Sequence, residues 1–350
     1  QFSRTTFAFY SGTFYFCRMD FKELTYKGMN FKAALLASLL LFSVSCGSNS
    51  GRREAEQTMT RPFPSVTPPA MMQEQQEIVE FMSMHFWDAF MAPAAGQGYR
   101  CDSLYVAGVL KGDVEQNLAN FIYLLDMQSM SAAKKAVSHI ADLAEACEQA
   151  DSSSNVFESF AQLMDKYLFD PNSPLRNEDY YQAYAAKMSE SAFLSAAARD
   201  KYSYISRMSL RNAVGTKAAD FAFSDKAGRI RRLYDIRSEY VLLFFSNPGC
   251  ESCLEIINML REDQKINSAI ASGRLAVLNI YIDEDIKAWR DYMPVYPETW
   301  YNGFDPEFVI RNENIYNVRA IPSLYLLDNQ KTVLMKDAVP EKLLNLLNNI

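Results

Sequence analysis

The sequence predicts an all-α helical domain followed by an α/β domain, in which helices flank a central mixed sheet. Apolar residues recur at helical spacing from residue 71 to residue 212. Beyond Gly215 the pattern changes to short, nearly continuous apolar runs, which are typical of strands buried on both faces. A chain of 350 residues is long enough to form two hydrophobic cores.

Composition narrows the possible functions. The formal net charge of -7 argues against nucleic acid or an anionic membrane surface as the main partner. The chain has only two histidines, His85 and His139, so it offers little material for histidine catalysis or a metal centre. We therefore expect no metal. The sequence also contains neither a phosphate loop nor a nucleotide fingerprint, and we expect no dissociable cofactor.

The N-terminal residues are predicted to lie outside both domains. Residues 1–28 show neither helical period nor caps and are interpreted as non-native upstream sequence. Residues 29–46 have the pattern of a lipoprotein signal, with a basic residue, a twelve-residue apolar run and a lipid-bearing Cys46. A plain signal peptide and a transmembrane anchor are the alternatives, although a span needs about 20 apolar residues. Residues 47–70, rich in proline, are predicted to form a flexible tether.

Apolar stripes predict the helices of residues 71–212. The stripes run through Ile78 to Phe90, Val114 to Leu125, Val137 to Cys147, Phe157 to Tyr167, Tyr180 to Tyr184, and Phe193 to Leu210. Ser131 is predicted to cap the third helix, and Asn177-Glu178 to begin the fifth after a turn-rich stretch. These stripes are most simply the core of a helical bundle, and no catalytic constellation is found among them.

Residues 214–350 are predicted to form the α/β domain in the order β–α–β–α–β–β–α. Two runs form a first hairpin, two longer runs form buried parallel strands joined by a helix, and a second hairpin precedes a final helix. The predicted strands are Phe221 to Phe223, Ile230 to Leu233, Tyr240 to Phe245, Leu275 to Ile282, Ser323 to Leu327 and Thr332 to Met335. Further helical pieces are predicted over Asp283 to Asp291, over Phe308 to Val318 and from Pro340 onward.

Cys250 and Cys253 carry the strongest functional signal. They follow the strand that ends at Phe245, after a Ser-Asn-Pro-Gly break, and they begin a helical pattern. A helix N-terminus stabilises a thiolate, and a second thiol one turn away can resolve a mixed disulfide. A zinc site would need a second ligand pair, and a purely structural bridge over two residues would restrain the unfolded chain little.

Cys101 and Cys147 leave two interpretations open. They could form a structural disulfide in a compartment that permits one. Alternatively, they are separate buried thiols, because Cys147 continues an apolar helical stripe.

The predicted order, together with C-x-x-C and Ile321-Pro322, resembles the thioredoxin fold over residues 214–350. It is most similar to the TlpA/ResA-type extracytoplasmic thioredoxins. The residues that carry the likeness are Ala218 to Phe223, Gly228, Leu233 to Ile236, and Tyr316 to Asp328. The resemblance implies that Cys250 attacks, that Cys253 resolves, and that a cis Pro322 faces the disulfide. It also implies that the backbone of Ile321 pairs with an extended substrate.

A second resemblance lies upstream. Tyr167 to Glu178 resembles a helical domain of unknown function (DUF5106-like) that precedes thioredoxin modules in lipoproteins of the Bacteroidetes type. This likeness implies architecture and compartment, not chemistry.

The chain departs from the thioredoxin pattern around the cysteines. Gly249 replaces a usual Trp, and Ser252 replaces a usual Pro. Relatives often carry a buried acid where this chain has Phe244 or Ile256, and Glu255 lies one residue away from the second of these places. The missing acid implies that proton transfer runs through water or Glu255, or that exchange is slow.

Glu251 affects the expected direction of the reaction. Its charge between the two thiols disfavours a thiolate on Cys250, whereas a strong oxidant needs a very stable thiolate. The sequence therefore favours a reductant.

The resulting hypothesis is an extracytoplasmic thiol–disulfide oxidoreductase acting on exported proteins. Its partners would be exported protein thiols or disulfides, a membrane or periplasmic thiol electron donor, and the membrane through an N-terminal lipid. Its place would be the cell envelope, facing the periplasm from the outer membrane. The alternative is a lipid-anchored binding protein, in which the helical domain binds a partner and the redox module is a scaffold.

Overall fold

The computed structural model describes residues 58–92 and 97–349. The predicted upstream segment, the signal with its lipidation site Cys46 and the first part of the tether lie outside these ranges. Within the described ranges, no helix combines the length and the apolar character that crossing a membrane requires.

The first half of the structure is helical. Its helices are α1 (Gln75–Met84), α2 (Asp88–Met91), α3 (Lys111–Leu125), α4 (Met130–Ala150), α5 (Val156–Met164), α6 (Glu178–Met188) and α7 (Ala196–Ser209). α5 continues into a π-helical turn, Asp165–Phe169. A short hairpin of β1 (Tyr105–Val106) and β2 (Val109–Leu110) precedes α3, and the apolar pattern does not predict it.

One hydrophobic core holds these helices together. Trp87 is 1% exposed, and its indole meets the rings of Phe121 and Phe160 edge-on. Every predicted stripe contributes buried side chains to this core, among them Phe90, Leu118, Ile140, Phe160, Tyr184 and Ile205. The predicted helical bundle is therefore confirmed at the level of its core.

Polar side chains cap three helices of the first half, α4, α6 and α7. Asn177 caps α6 by accepting a hydrogen bond from the Tyr180 N–H at 3.1 Å, which confirms the predicted start. The prediction that Ser131 caps α4 is wrong, because the Ser129 hydroxyl accepts the bond from Ala132 N–H. Both serines precede the apolar stripe, so periodicity alone could not choose between them.

The second half is built around a seven-stranded mixed sheet. Its strands are β3 (Ala222–Asp225), β4 (Ile230–Arg232), β5 (Tyr240–Phe245), β6 (Leu275–Tyr281), β7 (Tyr301–Phe304), β8 (Ser323–Asp328) and β9 (Val333–Met335), in the sheet order β4-β3-β7-β6-β5-β8-β9. The accompanying helices are α8 (Glu251–Glu262), α9 (Gln264–Ala271), α10 (Ile286–Tyr292), α11 (Val309–Asn312) and α12 (Pro340–Leu347).

β5 lies inside the sheet, parallel to β6 and antiparallel to β8. Its side chains alternate between two cores. Leu242 and Phe244 pack with residues of α8, α9 and α12, whereas Val241, Leu243 and Phe245 pack on the opposite face. Burial on both faces explains why this strand is a continuous apolar run and confirms the prediction from it.

β7 is a strand that the sequence does not predict. It pairs in parallel with β6 and antiparallel with β3. Its Asn302-Gly303 pair is a turn signal in most contexts. Here Gly303 permits close packing, because a Cβ built on it would lie 2.6 Å from a ring carbon of Phe223 and 3.0 Å from the Ser224 carbonyl oxygen.

The predicted helix over Phe308 to Val318 is mostly wrong. Only α11 forms there, and left-handed residues bracket it, with φ of 55° at Phe308 and 50° at Asn314. An α-helix cannot continue through such residues. The segment that follows α11 is not helical, and its carbonyl groups accept hydrogen bonds from the helical half.

Candidate redox site

The cysteine pair lies where β5 passes into α8. Gly249 precedes it with φ of +75°, in the left-handed region that favours glycine. This conformation gives a structural reason for glycine at a place where relatives carry tryptophan. Cys250 is the N-cap residue of α8, and its Sγ accepts a hydrogen bond from the Cys253 N–H at 3.1 Å. The helix start therefore points a backbone donor at the sulfur that would carry a negative charge.

Cys250 and Cys253 are joined by a disulfide, with their Cα atoms 5.2 Å apart. Cys250 is half-buried, whereas Cys253 is 1% exposed. An incoming thiol or disulfide can therefore reach the first sulfur, while the second is available only from within the protein.

The loop that contains Pro322 (residues 320–322, the Pro322 loop) lies beside the loop that leads to Cys250 (residues 246–250, the cysteine loop). Ser323 is the residue paired with Phe245 in the antiparallel register of β8 and β5, so both loops leave the same edge of the sheet. The Ile321–Pro322 peptide bond is cis, as the resemblance implies. Ile321 and Cys250 both pack against the core cluster that contains Cys253. The structure thus brings together the four residues predicted for thiol chemistry and docking.

No acid occupies either of the two places where relatives carry one. Phe244 and Ile256 are buried apolar residues in the core beneath the disulfide. Glu255 and Glu251 are exposed on the surface of α8. A buried proton acceptor is therefore missing at these two positions, and the nearby carboxylates face solvent.

Buried polar side chains that the sequence pattern does not predict lie beneath the cysteine loop. The Ser246 hydroxyl donates to Asn279 Oδ1 at 2.5 Å and lies 3.5 Å from the Tyr296 hydroxyl. Asn279 donates in turn to Asn302 Oδ1 at 3.2 Å. Burial raises the pKa of Tyr296, so this group stays neutral. Asn279 interrupts the apolar run of β6, and a polar residue inside a buried strand is the sequence signal for this group.

A second polar contact holds the next residue of the loop. Asn247 Nδ2 donates to Asp283 Oδ2 at 2.6 Å, and Asp283 also pairs with Arg311 at 3.2 Å. Hydrogen bonds at consecutive residues, Ser246 and Asn247, therefore fix the path of the backbone toward Cys250.

Cys101 and Cys147 are free thiols, so the possible disulfide between them is not formed. Cys147 lies on the buried stripe of α4, and its thiol donates to the Met91 carbonyl oxygen at 3.1 Å. Burial raises the pKa of Cys147 to about 11. The two thiols are separate in the structure, and of the two only Cys147 is buried, whereas Cys101 is half-buried.

The two histidines meet at one carboxylate. His85 Nδ1 lies 2.6 Å from Asp88 Oδ2, and His139 Nε2 lies 2.8 Å from Asp88 Oδ1. Across the described residues, no group of three or more histidine, cysteine and acidic side chains is arranged to hold a metal ion.

Comparisons with known proteins place the chain among proteins of similar architecture. The family model described as a domain of unknown function (DUF5106) matches residues 45–212. The crystal structure of a thioredoxin-like protein from Bacteroides caccae matches with 32% identity and a TM-score of 0.69, covering 83% of this chain and 98% of that one. None of the curated proteins compared with the chain matches it.

Shorter structures match the second half. The C-terminal domain of an uncharacterized protein from Bacteroides fragilis is 44% identical, with a TM-score of 0.38, and covers 39% of this chain and 98% of that one. A domain of a possible thiol-disulfide isomerase from Cytophaga hutchinsonii is 23% identical, with a TM-score of 0.33, and covers 39% and 91%. The thioredoxin-like fold itself rests on the match to the Bacteroides caccae structure, which covers 83% of this chain.

Proposed function

Since the chain belongs to a thioredoxin-like family of Bacteroidetes proteins with a DUF5106 region, we propose that it is a thiol–disulfide oxidoreductase that reduces disulfides of exported proteins. The observation that carries the proposal is the Cys250–Cys253 disulfide at the start of α8, with the Pro322 loop leaving the same sheet edge. Neither a metal nor a dissociable cofactor is required for this chemistry.

In the reduced protein, the Cys250 thiolate attacks one sulfur of a client disulfide. The client S–S bond breaks, a client thiolate leaves, and Cys250 is joined to the client by a mixed disulfide. Cys253 then loses its proton and attacks the Cys250 sulfur. This second step releases the other client sulfur as a thiolate and forms the Cys250–Cys253 bridge. The client gains two electrons and, with protons from solvent, two thiols, and an external thiol donor restores the reduced pair.

Solvent is the proposed route for the proton of Cys253. The two positions for a buried acid are apolar, and Glu255 lies on the exposed surface of α8. Resolution of the mixed disulfide would then depend on how far the bound client leaves water access to Cys253.

The proposed direction is reduction. Glu251 is the first residue of α8 and stands next to Cys250. Its carboxylate disfavours a second negative charge there, which opposes the effect of the helix N-terminus. A pair whose thiolate is less stabilised has a lower reduction potential and gives up its electrons more readily.

The proposed location is the cell envelope, with a lipid on Cys46 and residues 47–70 as the tether. The support is the signal pattern of residues 29–46 and the family relation to thioredoxin-like proteins. In this arrangement the redox site would face the periplasm and receive electrons from a membrane or periplasmic thiol donor.

Serine variants of the full-length protein test the thiol roles, with dithiothreitol as donor and insulin as client. Cys250→Ser abolishes reduction because no thiolate attacks. Cys253→Ser, first reduced and then freed of dithiothreitol, still attacks but cannot resolve, so a mixed disulfide with insulin accumulates on a non-reducing gel. Cys101→Ser, which changes a cysteine outside this site, keeps the wild-type rate.

Two outcomes would count against the proposal. Insulin reduction by Cys250→Ser at the wild-type rate would remove this cysteine from the reaction. Absence of any reduction by the wild-type protein, with a partner still captured by both serine variants, would favour the alternative in which the helical domain is a binding module.

A further inference from the structure

Side chains of the helical half donate hydrogen bonds to the backbone of residues 313–315, which leads toward the Pro322 loop. Arg211 Nη1 donates to the Glu313 carbonyl oxygen at 2.9 Å and also to the Asn314 carbonyl oxygen. Asn212 Nδ2 donates to the Ile315 carbonyl oxygen at 2.8 Å. Three consecutive carbonyl groups are therefore held by residues at the end of the helical half.

Two half-buried side chains continue these contacts toward the loop. Asn317 donates to Glu178, the first residue of α6. Arg319 donates from Nη1 to the Phe169 carbonyl oxygen, and its guanidinium lies 4.4 Å from the centre of the Phe169 ring. The Arg319 side chain is 11% exposed. The predicted docking residues Ile321 and Pro322 follow after Ala320.

Asp337 ties both ends of the Pro322 loop to the helical half. Its Oδ2 accepts from Arg319 Nη2 at 2.7 Å, before the loop, and its Oδ1 lies 3.5 Å from the Ser323 hydroxyl, after the loop. Arg176 of the helical half approaches the same carboxylate at 3.6 Å and donates to the Ala338 carbonyl oxygen at 3.1 Å. One carboxylate thus connects the loop with both halves of the molecule.

Lys336, next to Asp337, donates hydrogen bonds to the helical half. Its Nζ donates to the carbonyl oxygens of Ser209 and Arg211, each at 2.7 Å, and lies 3.1 Å from Glu178 Oε2. Both charged side chains of this pair are fully buried. Burial raises the pKa of Glu178, and the Lys336 ammonium opposes that rise. Buried charges with these partners hold one geometry, because any separation leaves a charge uncompensated.

We propose that the helical half is a fixed part of the redox site, and that Arg319 and Asp337 are positioning residues for client docking. They hold the Pro322 loop at the place where an extended client would pair with the backbone of Ile321. A protein client depends on this surface, whereas a small disulfide needs only access to Cys250. The effect on client reduction rests on the proposed function, but the effect on the loop itself does not.

Arginine variants of the full-length protein separate docking from thiol chemistry. Arg319→Met keeps the aliphatic length and removes the donors to Phe169 and Asp337, and Arg176→Met removes the contact from the helical side. Arg232→Met is the matched control, because Arg232 pairs with Asp220 at 2.6 Å on the β3–β4 hairpin. Asp337→Asn is a further variant, which removes the negative charge that Arg319 contacts. We expect this variant to fold, because asparagine tolerates the φ of 44° at this residue.

The readouts are insulin reduction, reduction of the small disulfide 5,5′-dithiobis(2-nitrobenzoate), and amide hydrogen exchange of residues 317–323. For Arg319→Met, kcat/KM for insulin falls about tenfold, as expected for loss of a charge-assisted hydrogen bond, and the change lies in KM. Reduction of the small disulfide and the reduction potential stay at wild-type values. Exchange in 317–323 becomes faster. Arg319→Lys falls between, and Arg232→Met changes none of these.

Equal losses on insulin and on the small disulfide would overturn the inference, because they would place the effect on the thiols or on the whole fold. Wild-type exchange rates in Arg319→Met and Asp337→Asn would overturn it as well. A wild-type protein that reduces neither probe contradicts the proposed function instead, and the exchange rates then decide the positioning of the loop on their own.

Discussion

Cys147 and Cys250 differ in what surrounds their sulfur atoms. Cys250 is half-buried at a helix start, where its sulfur accepts a backbone hydrogen bond. Cys147 is buried on an apolar stripe and donates its thiol proton to a carbonyl oxygen. The first environment favours a reactive thiolate, and the second favours a neutral, inert thiol.

The raised pKa of Cys147 predicts slow alkylation of this thiol in the folded protein. With a pKa of about 11 against an ordinary value of about 8.5, the native thiol at pH 8 alkylates on the order of a hundredfold more slowly than an unperturbed cysteine. Mass spectrometry of peptides after iodoacetamide treatment of the reduced protein measures this rate. In guanidinium chloride, Cys147 and Cys101 label equally fast, which is the control.

The same shift has a consequence for stability. The folded pKa lies above the unfolded one, so the neutral thiol contributes stability below about pH 8.5, and that contribution is lost as the pH rises toward 11. Native labelling of Cys147 at pH 8 at the rate of the unfolded protein would contradict the burial described for it.

The packing of β7 depends on one glycine. Gly303 lies where β7 passes Phe223 and the backbone of Ser224 on β3. A side chain there must displace the neighbouring strand rather than a flexible side-chain end, and a dense core resists such shifts.

Gly303→Ala is therefore expected to lower the free energy of unfolding by about 1–3 kcal/mol. Gly112→Ala is the matched control, since a Cβ at Gly112, inside α3, meets no atom within 4 Å. Alanine there is expected to be neutral or to stabilise by up to about 1 kcal/mol. Urea unfolding curves with unchanged slopes measure both, and equal midpoints for the two variants would refute the close packing of β7.

Elements could be predicted where their own residues determine them. The apolar pattern predicts β5 and the helices, because burial sets the spacing of apolar residues along each of these segments. β7 could not be predicted, since four residues with a central Asn-Gly are a strand only in the presence of β6 and β3. The prediction of a helix over Phe308 to Val318 is wrong for a related reason. The carbonyl groups of the segment following α11 accept hydrogen bonds from the helical half and not from their own segment.

Across the whole molecule, the sequence predicts the parts of the site that lie close together along the chain but not those that distant segments bring together. Cys250, Cys253 and Pro322 could be predicted because a short motif and one dipeptide carry them. The partners of Arg319 could not, since Phe169 lies 150 residues away along the chain. Polar contacts between domains leave no periodic trace in either sequence segment, and Glu178 and Lys336 look like ordinary surface charges until the two halves meet.

A redox titration of the Cys250–Cys253 pair in the full-length protein tests the proposed function. Thiol alkylation and mass spectrometry in glutathione and dithiothreitol buffers measure the oxidised fraction. We predict one reversible two-electron transition with a potential nearer to about -270 mV than to about -120 mV, as suits a reductant. A pair that forms no reversible bridge would contradict the thiol–disulfide oxidoreductase itself, and a potential near -120 mV would contradict its proposed direction.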